Sequence, residues 1–299
     1  MARHAGVICT SHVPAIGKAI ALRQQQQTYW KPFFDGYRAV HGWLDRLRPD
    51  VVVLIYNDHG LNFFLDKLPT FAVGAAPEYR NADEGWGLPT IAPFPGDPQL
   101  SWHLIESLVA EEFDITMCQE MLVDHAFVVP MQLLWPMGPP WPVKTVPICI
   151  NTVQHPLPTA HRCHRLGQAI GRAIDAYDED VNVLVLGTGG LSHQLDGARA
   201  GFINKQFDHL CLEQLVSDPE ALTRYSNIEL VELAGTQGIE ILMWIAARAT
   251  LLGDVTQVHR NYHVPISNTA SGVLVMEPRE TSGPRERAGS GTRRDQIAG

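Results

Sequence analysis

Three histidines and one glutamate combine residue types and settings that suit metal chemistry. His12 lies in the stretch CTSHVP, His59 in YNDHG and His193 in GTGGLSH, each a few residues beyond a short apolar run. Glu240 lies in GTQGIEILMW, near the start of a stretch that is otherwise mostly apolar. A carboxylate there is paired, bound to a cation, or left with a large desolvation cost. Two neutral imidazoles and one carboxylate on one face of a metal leave three open positions. That is the facial arrangement with which non-heme Fe(II) enzymes bind substrate and dioxygen together. Zinc takes the same ligand types but keeps fewer positions open. Plainer readings exist for each residue. A loop histidine is usually just solvated, and an acid at a helix start is stabilised by the helix dipole. Spacing alone leaves both readings open.

For these residues to meet, the segments ahead of them must be neighbouring strands. Ala5–Thr10 is a β-like run, and Asp50–Tyr56 (DVVVLIY) is apolar on both faces, as in an interior parallel strand. Val181–Leu186 (VNVLVL) has the same character. In an open α/β sheet, ligands gather beyond the carboxyl ends of the strands, and all three histidines follow such ends. Helical spacing recurs over 32–47, 99–112, 166–177 and 237–252. Strands are also expected at Val143–Ile150, despite Pro147, and at Val273–Met276. The Pro- and Gly-rich stretch 69–98 should be mainly loop, with Phe71–Gly74 a short strand. The expected fold is a single α/β domain over 1–276, a mostly parallel central sheet flanked by helices. Its active site should lie beyond the strand C-terminal ends. The polar, Gly-rich segment 277–299 reads as a disordered tail.

Composition excludes several classes of function. The net charge of −9 argues against a nucleic-acid partner, because phosphate binding needs a basic face. No apolar run is long enough for a membrane span, and the first residues lack a secretory signal's apolar core. Five dispersed cysteines without a CxxC pair suggest reduced thiols and a cytoplasmic location. Thirteen histidines point toward metal or acid–base chemistry. The GTGG turn lacks the following Lys-Ser/Thr of a phosphate-cradling loop.

Seven stretches occur in a familiar order: SHVPAIG at 11–17, YNDH at 56–59, ADEGWG at 82–87, VDH at 123–125, GTGGLSHQL at 187–195, RAGFIN at 199–204 and HVPISNTA at 263–270. Together they resemble the catalytic β subunits of protocatechuate 4,5-dioxygenases, within the class III (LigB-type) extradiol dioxygenase family. The resemblance extends to about Pro278. It implies that His12, His59 and Glu240 ligate Fe(II), that His193 is the acid–base residue, and that His125 is a second active-site histidine. It also implies that Ser267 and Asn268 receive a substrate carboxylate.

The implied reaction opens a carboxylated catechol outside the diol, giving 4-carboxy-2-hydroxymuconate semialdehyde from protocatechuate. Gallate, 3-O-methylgallate or another substituted catechol is the alternative substrate. Phe63, Phe64 or Phe127 would then reshape the pocket, or else simply fill the core. A separate small helical α subunit, in an α2β2 assembly, is the implied partner. Outside this class stand a metal-binding relative without dioxygenase activity and a zinc hydrolase using His12, His59 and Glu240. His125 and His193 together favour the oxygenase, since a mere binder needs no proton shuttle.

Overall fold

Successive residues of the apolar runs divide between two cores, one on each face of a sheet. In Arg3–Thr10 (β1), Val7 and Cys9 join one core and Ile8 the other. In Val51–Tyr56 (β2), Val51, Val53 and Ile55 face the first core and Val52, Leu54 and Tyr56 the second. Period-two side chains bury this way only when both faces are covered. The structure, a computed structural model, describes residues 1–85 and 87–279.

The strands that follow are Phe71–Gly74 (β3), Glu78–Asn81 (β4), Phe94–Pro95 (β5), Thr116–Cys118 (β6), Leu122–Val123 (β7), Lys144–Ile150 (β8), Asn182–Thr188 (β9), Val255–Ile266 (β10) and Thr269–Pro278 (β11). Eight of them form one sheet in the order β10-β11-β1-β9-β2-β8-β3-β6, and β5-β4-β7 form a small second sheet. β1, β9, β2 and β8 pair in parallel, as do β3 and β6. β3 runs antiparallel to β8, and the β10–β11 hairpin adds an antiparallel edge beside β1.

Nine helices are described: Pro14–Ala21 (α1), Lys31–Asp35 (α2), Arg38–Leu47 (α3), Pro98–Ala110 (α4), His125–Leu134 (α5), Ala160–Ala176 (α6), Lys205–Ser217 (α7), Asn227–Ala234 (α8) and Ile241–Ala249 (α9). Helices α4, α6, α7 and α9 cover one face and α1, α2, α3 and α5 the other. Gly167 and Gly171 let α6 lie directly on α9. A Cβ at either would come within 2.0 or 2.2 Å of the carbonyl oxygens of Ala246 or Thr250. This fixes the helix that Glu240 immediately precedes. No helix among the described residues is long and apolar enough to cross a membrane.

The expected helix over 32–47 is broken into α2 and α3 at Gly36 and Tyr37. Gly36 sits against the Asn261 amide of β10, 2.1 Å from where a Cβ would stand. The stretch 237–252 is shorter than expected, a 3-10 turn at Gly238–Glu240 followed by α9. The strand around Val273–Met276 extends from Thr269 to Pro278, and its partner β10 was not anticipated. β10 is an edge strand whose middle residues, including His259 and Arg260, are at least partly exposed, so it carries no apolar run. Pro147 is accommodated because pairing with β3 ends at Val73↔Ile148, one residue short of it. β11 carries regular structure two residues into the tail expected at 277–299, and residues 280–299 of that tail lie outside the described residues.

Candidate active site

β1, β9 and β2 are adjacent and parallel, with Thr10 opposite Thr188 and Ile55 opposite Gly187. Their carboxyl ends are therefore level, and the residues that follow meet above them. His12 lies two residues past β1, His59 three past β2 and His193 five past β9. Glu240, at the start of α9, extends a buried carboxylate among all three.

Each imidazole is oriented through its Nδ1 and turns Nε2 toward Glu240. His12 Nδ1 is 3.1 Å from the Thr188 hydroxyl, and its Nε2 is 3.3 Å from Glu240 Oε2. His59 donates from Nδ1 and from its backbone N–H to Asp124 Oδ2, both at 2.9 Å, and its Nε2 is 3.6 Å from Glu240 Oε1. Asp124 is itself fixed, since its other oxygen caps α5 through the Ala126 N–H. Asn57 donates to Glu240 Oε1 at 3.2 Å. His193 donates from Nδ1 to the Leu191 carbonyl at 2.9 Å, leaving Nε2 3.8 Å from Glu240 Oε2.

The glycines of GTGG are explained by what they touch. Gly189 has φ +127°, and a Cβ there would lie 2.9 Å from Glu240 Cβ. A Cβ on Gly190 would lie 2.3 Å from His193 Cε1. The turn is also held from below. Ser192 donates from its N–H and its hydroxyl to buried Asp208, which accepts a third bond from the Tyr262 hydroxyl. Burial pushes the Asp208 carboxyl above its ordinary range, against these donors.

His125 completes the histidine group, its ring 4.2 Å from that of His59 and 5.5 Å from that of His12. It donates from Nδ1 and from its backbone N–H to the two oxygens of Glu84, each at 2.7 Å. Ring nitrogens of His12, His59 and His125 lie within 4.8 Å of one another, a group able to hold a metal ion. Burial and neighbouring charge set the electrostatics. Burial raises the Glu240 carboxyl, but His12 and His59 hold it well below its usual range. Burial lowers His59, yet Asp124 and Glu240 lift it to about 10. Burial pushes His125 down, opposed by Glu84.

His12, His59, His125, His193 and Glu240 all line one cavity of about 610 Å³, a size suited to a small-molecule site. Ser267, in a left-handed conformation at the β10–β11 turn (φ +54°), lines it as well. Asn268 does not. It is exposed and lies outside the lining residues, with its side chain near Gly201. None of Phe63, Phe64 and Phe127 lines the cavity either. Phe127 is core, stacked 5.5 Å from Phe94, and Phe64 is exposed. Asn57, Glu84, Asp124, Thr188 and Asp208 escaped the sequence reading. All but Asp208 stand inside quoted motifs, but the partners that give them meaning come from other segments.

Residues 6–273 match the family described as the catalytic LigB subunit of aromatic ring-opening dioxygenase. A gallate dioxygenase from Pseudomonas putida is 41% identical over 203 residues, covering 68% of this chain. The chain spans only 59% of that enzyme's length. A 2,3-dihydroxyphenylpropionate/2,3-dihydroxicinnamic acid 1,2-dioxygenase from Photorhabdus laumondii is 32% identical, covering 90% of this chain and 96% of the relative. In fold, the chain is similar to an uncharacterized protein, JW3007, from Escherichia coli K12. The TM-score is 0.52 at 12% identity, over 91% of this chain and 99% of that one. The chain thus belongs to the family of catalytic LigB subunits of aromatic ring-opening dioxygenases.

Proposed function

We propose that this chain is an Fe(II)-dependent extradiol dioxygenase acting on a carboxylated catechol, with His12, His59 and Glu240 as the iron ligands. The observation that carries the reading is Glu240 Oε2. It is buried, accepts no well-formed hydrogen bond among the described residues, and has only the ring nitrogens of His12 at 3.3 Å and His193 at 3.8 Å beside it. A buried anionic oxygen left without a donor is costly, and a divalent cation there would satisfy it. The donor chemistry fits, because two imidazoles and a carboxylate suit Fe(II) and leave positions open for substrate and oxygen. A set of His12, His59 and His125 alone would leave Glu240 Oε2 without a donor, so the carboxylate set is preferred. Thr188 and Asp124 hold the ligand rings through their second nitrogens, the usual outer support of a metal site.

Bound there, Fe(II) would supply a Lewis acid for the phenolic oxygens and a template for dioxygen. The chain's own residues handle the protons. His193 has its N–H fixed on Nδ1 by the Leu191 carbonyl, so its Nε2 lone pair is free to accept a phenolic proton and return it later. His125, its Nδ1 tied to Glu84, presents its other nitrogen toward the same space. Both oxygen atoms enter the product, and the ring opens beside the diol.

Gallate is the favoured substrate and protocatechuate the alternative. The gallate dioxygenase relative supports this order. The cavity rim carries exposed Val153 and Leu195, which suits cover by a partner such as a small helical α subunit. The test is anaerobic loading with Fe(II) or Zn(II), followed by an oxygen electrode. Gallate, protocatechuate, 3-O-methylgallate and 2,3-dihydroxyphenylpropionate form the panel. Uptake of one O2 per ring with iron and none with zinc is expected. No uptake with any catechol by an iron-loaded protein overturns the reading.

A further inference from the structure

One charged group on the cavity wall has no part in the proton and metal chemistry. Lys18 is the only lysine or arginine among the described residues lining the cavity. Its ammonium carries no ion pair or side-chain hydrogen bond among the described residues. Its placement follows from helix geometry. α1 begins at Pro14, two residues after His12, and Lys18 stands about 6 Å further along the axis. Helical side chains lean toward the helix N-terminus, so this one leans back toward the site. Pro14 and Ala15 share the same stretch of wall.

Burial gives the cavity a direction. Its floor holds buried His12 and Glu240, whereas Lys18 is solvent-exposed. A ring whose diol lies at the floor would place a substituent toward the rim. Of the segment expected to receive a carboxylate, Ser267 lines the cavity and Asn268 does not, and the Ser267 amide already faces the Tyr29 hydroxyl at 3.4 Å.

We propose that Lys18 binds the substrate carboxylate and sets this chain's preference for anionic over neutral catechols. The proposal rests on the catechol-cleaving reading of the same cavity. It commits to a lysine ammonium on a ring carboxylate, a contact that salt weakens because the rim is open to solvent.

The experiment compares wild type, Lys18→Met and Lys18→Arg, with gallate and with methyl gallate, which lacks the charge. Calorimetric titration under anaerobic conditions, on iron-loaded and iron-free protein, gives Kd independently of turnover. Methionine should weaken gallate about tenfold, as expected for losing one hydrogen bond to a charged group, and leave the ester within twofold. Arginine should restore most of the loss. Added salt should raise the wild-type Kd for gallate but not that of Lys18→Met. In turnover the same change should appear in KM with kcat nearly unchanged. Equal losses for acid and ester, or no loss for either, overturns the proposal. A Kd that depends on Lys18 in a protein that consumes no oxygen overturns the dioxygenase reading instead. Normal oxygen uptake with a Kd indifferent to Lys18 does the reverse.

Discussion

Gly190→Ala should separate catalysis from metal binding with a single methyl group. The added Cβ would stand 2.3 Å from His193 Cε1 and 2.5 Å from Nδ1. Carbon atoms rest about 3.5 Å apart at contact, so the ring must retreat by about 1.2 Å, loosening its bond to the Leu191 carbonyl. A misplacement of that size costs about a hundredfold in rate, or about 2.7 kcal/mol of barrier. Stability should change little. Gly190 is not among the positive-φ glycines, and its close neighbours are atoms of a side chain rather than backbone. The assay is steady-state oxygen uptake with iron content and Tm measured on the same samples. Iron should stay near one per chain, because no proposed ligand is touched, while kcat falls about a hundredfold. Adding Gly190→Ala to His193→Ala should cost little more, since both act on one group. A kcat within threefold of wild type at full iron, or a fully additive double variant, would refute the reasoning.

Three further outcomes follow from the same geometry. Glu84→Gln offers His125 Nδ1 an amide in place of a charged acceptor and should lower kcat about tenfold with iron retained; a rate within twofold would remove Glu84 from any positioning role. Glu240→Gln keeps the volume but loses the charge, and should weaken Fe(II) binding by more than the roughly hundredfold seen for outer-support changes; metal titration that finds wild-type affinity removes Glu240 from the ligand set. Asp208→Asn should lower Tm at pH 7 by weakening the grip on Ser192. Asp208 also carries a pH signature. Its folded-state pKa is raised by burial, so its contribution is complete below the ordinary Asp value and declines as pH rises through the folded value. Urea titrations should therefore show the gap between wild type and Asp208→Asn narrowing with rising pH over that window, and a widening gap would contradict the raised value.

Much of the site was legible because its positioning strands are buried on both faces. DVVVLIY and VNVLVL admit few structures other than interior strands, and interior parallel strands put the next few residues at one edge of the sheet. That logic places His12, His59 and His193 in one region from sequence alone. The antiparallel edge was not legible for the opposite reason. β10 buries too little to show a period, and its pairing with β11 is set by the turn at Ser267 rather than by a hydrophobic pattern. Helix 32–47 was misjudged because its spacing is truly helical; the backbone stays right-handed at Gly36 and Tyr37 but tightens to i→i−3 bonds there, beside Asn261 some 225 residues away in the chain.

The supporting carboxylates mark a deeper limit. Glu84, Asp124 and Asp208 each read as ordinary polar residues, and each acquires meaning only through a partner that the fold supplies. Asp124 is instructive because it has two tasks. One oxygen caps α5 at Ala126, which a sequence reader could anticipate from an Asp ahead of an apolar helix. The other accepts both the Nδ1 and the backbone N–H of His59, and only the packing of α5 beside the end of β2 reveals it. One residue thus ties a helix start, a loop and a proposed ligand ring into a single unit. The ring cannot turn without disturbing the helix cap, so the direction of His59 Nε2 is inherited from the fold and not from the loop that carries it. The same holds for His12 through Thr188 of β9 and for His125 through Glu84. His12 and His59, both facing Glu240, are therefore aimed by other segments, while His193 is aimed from within its own turn by the Leu191 carbonyl, and the convergence of all three on one carboxylate is a property of strand register.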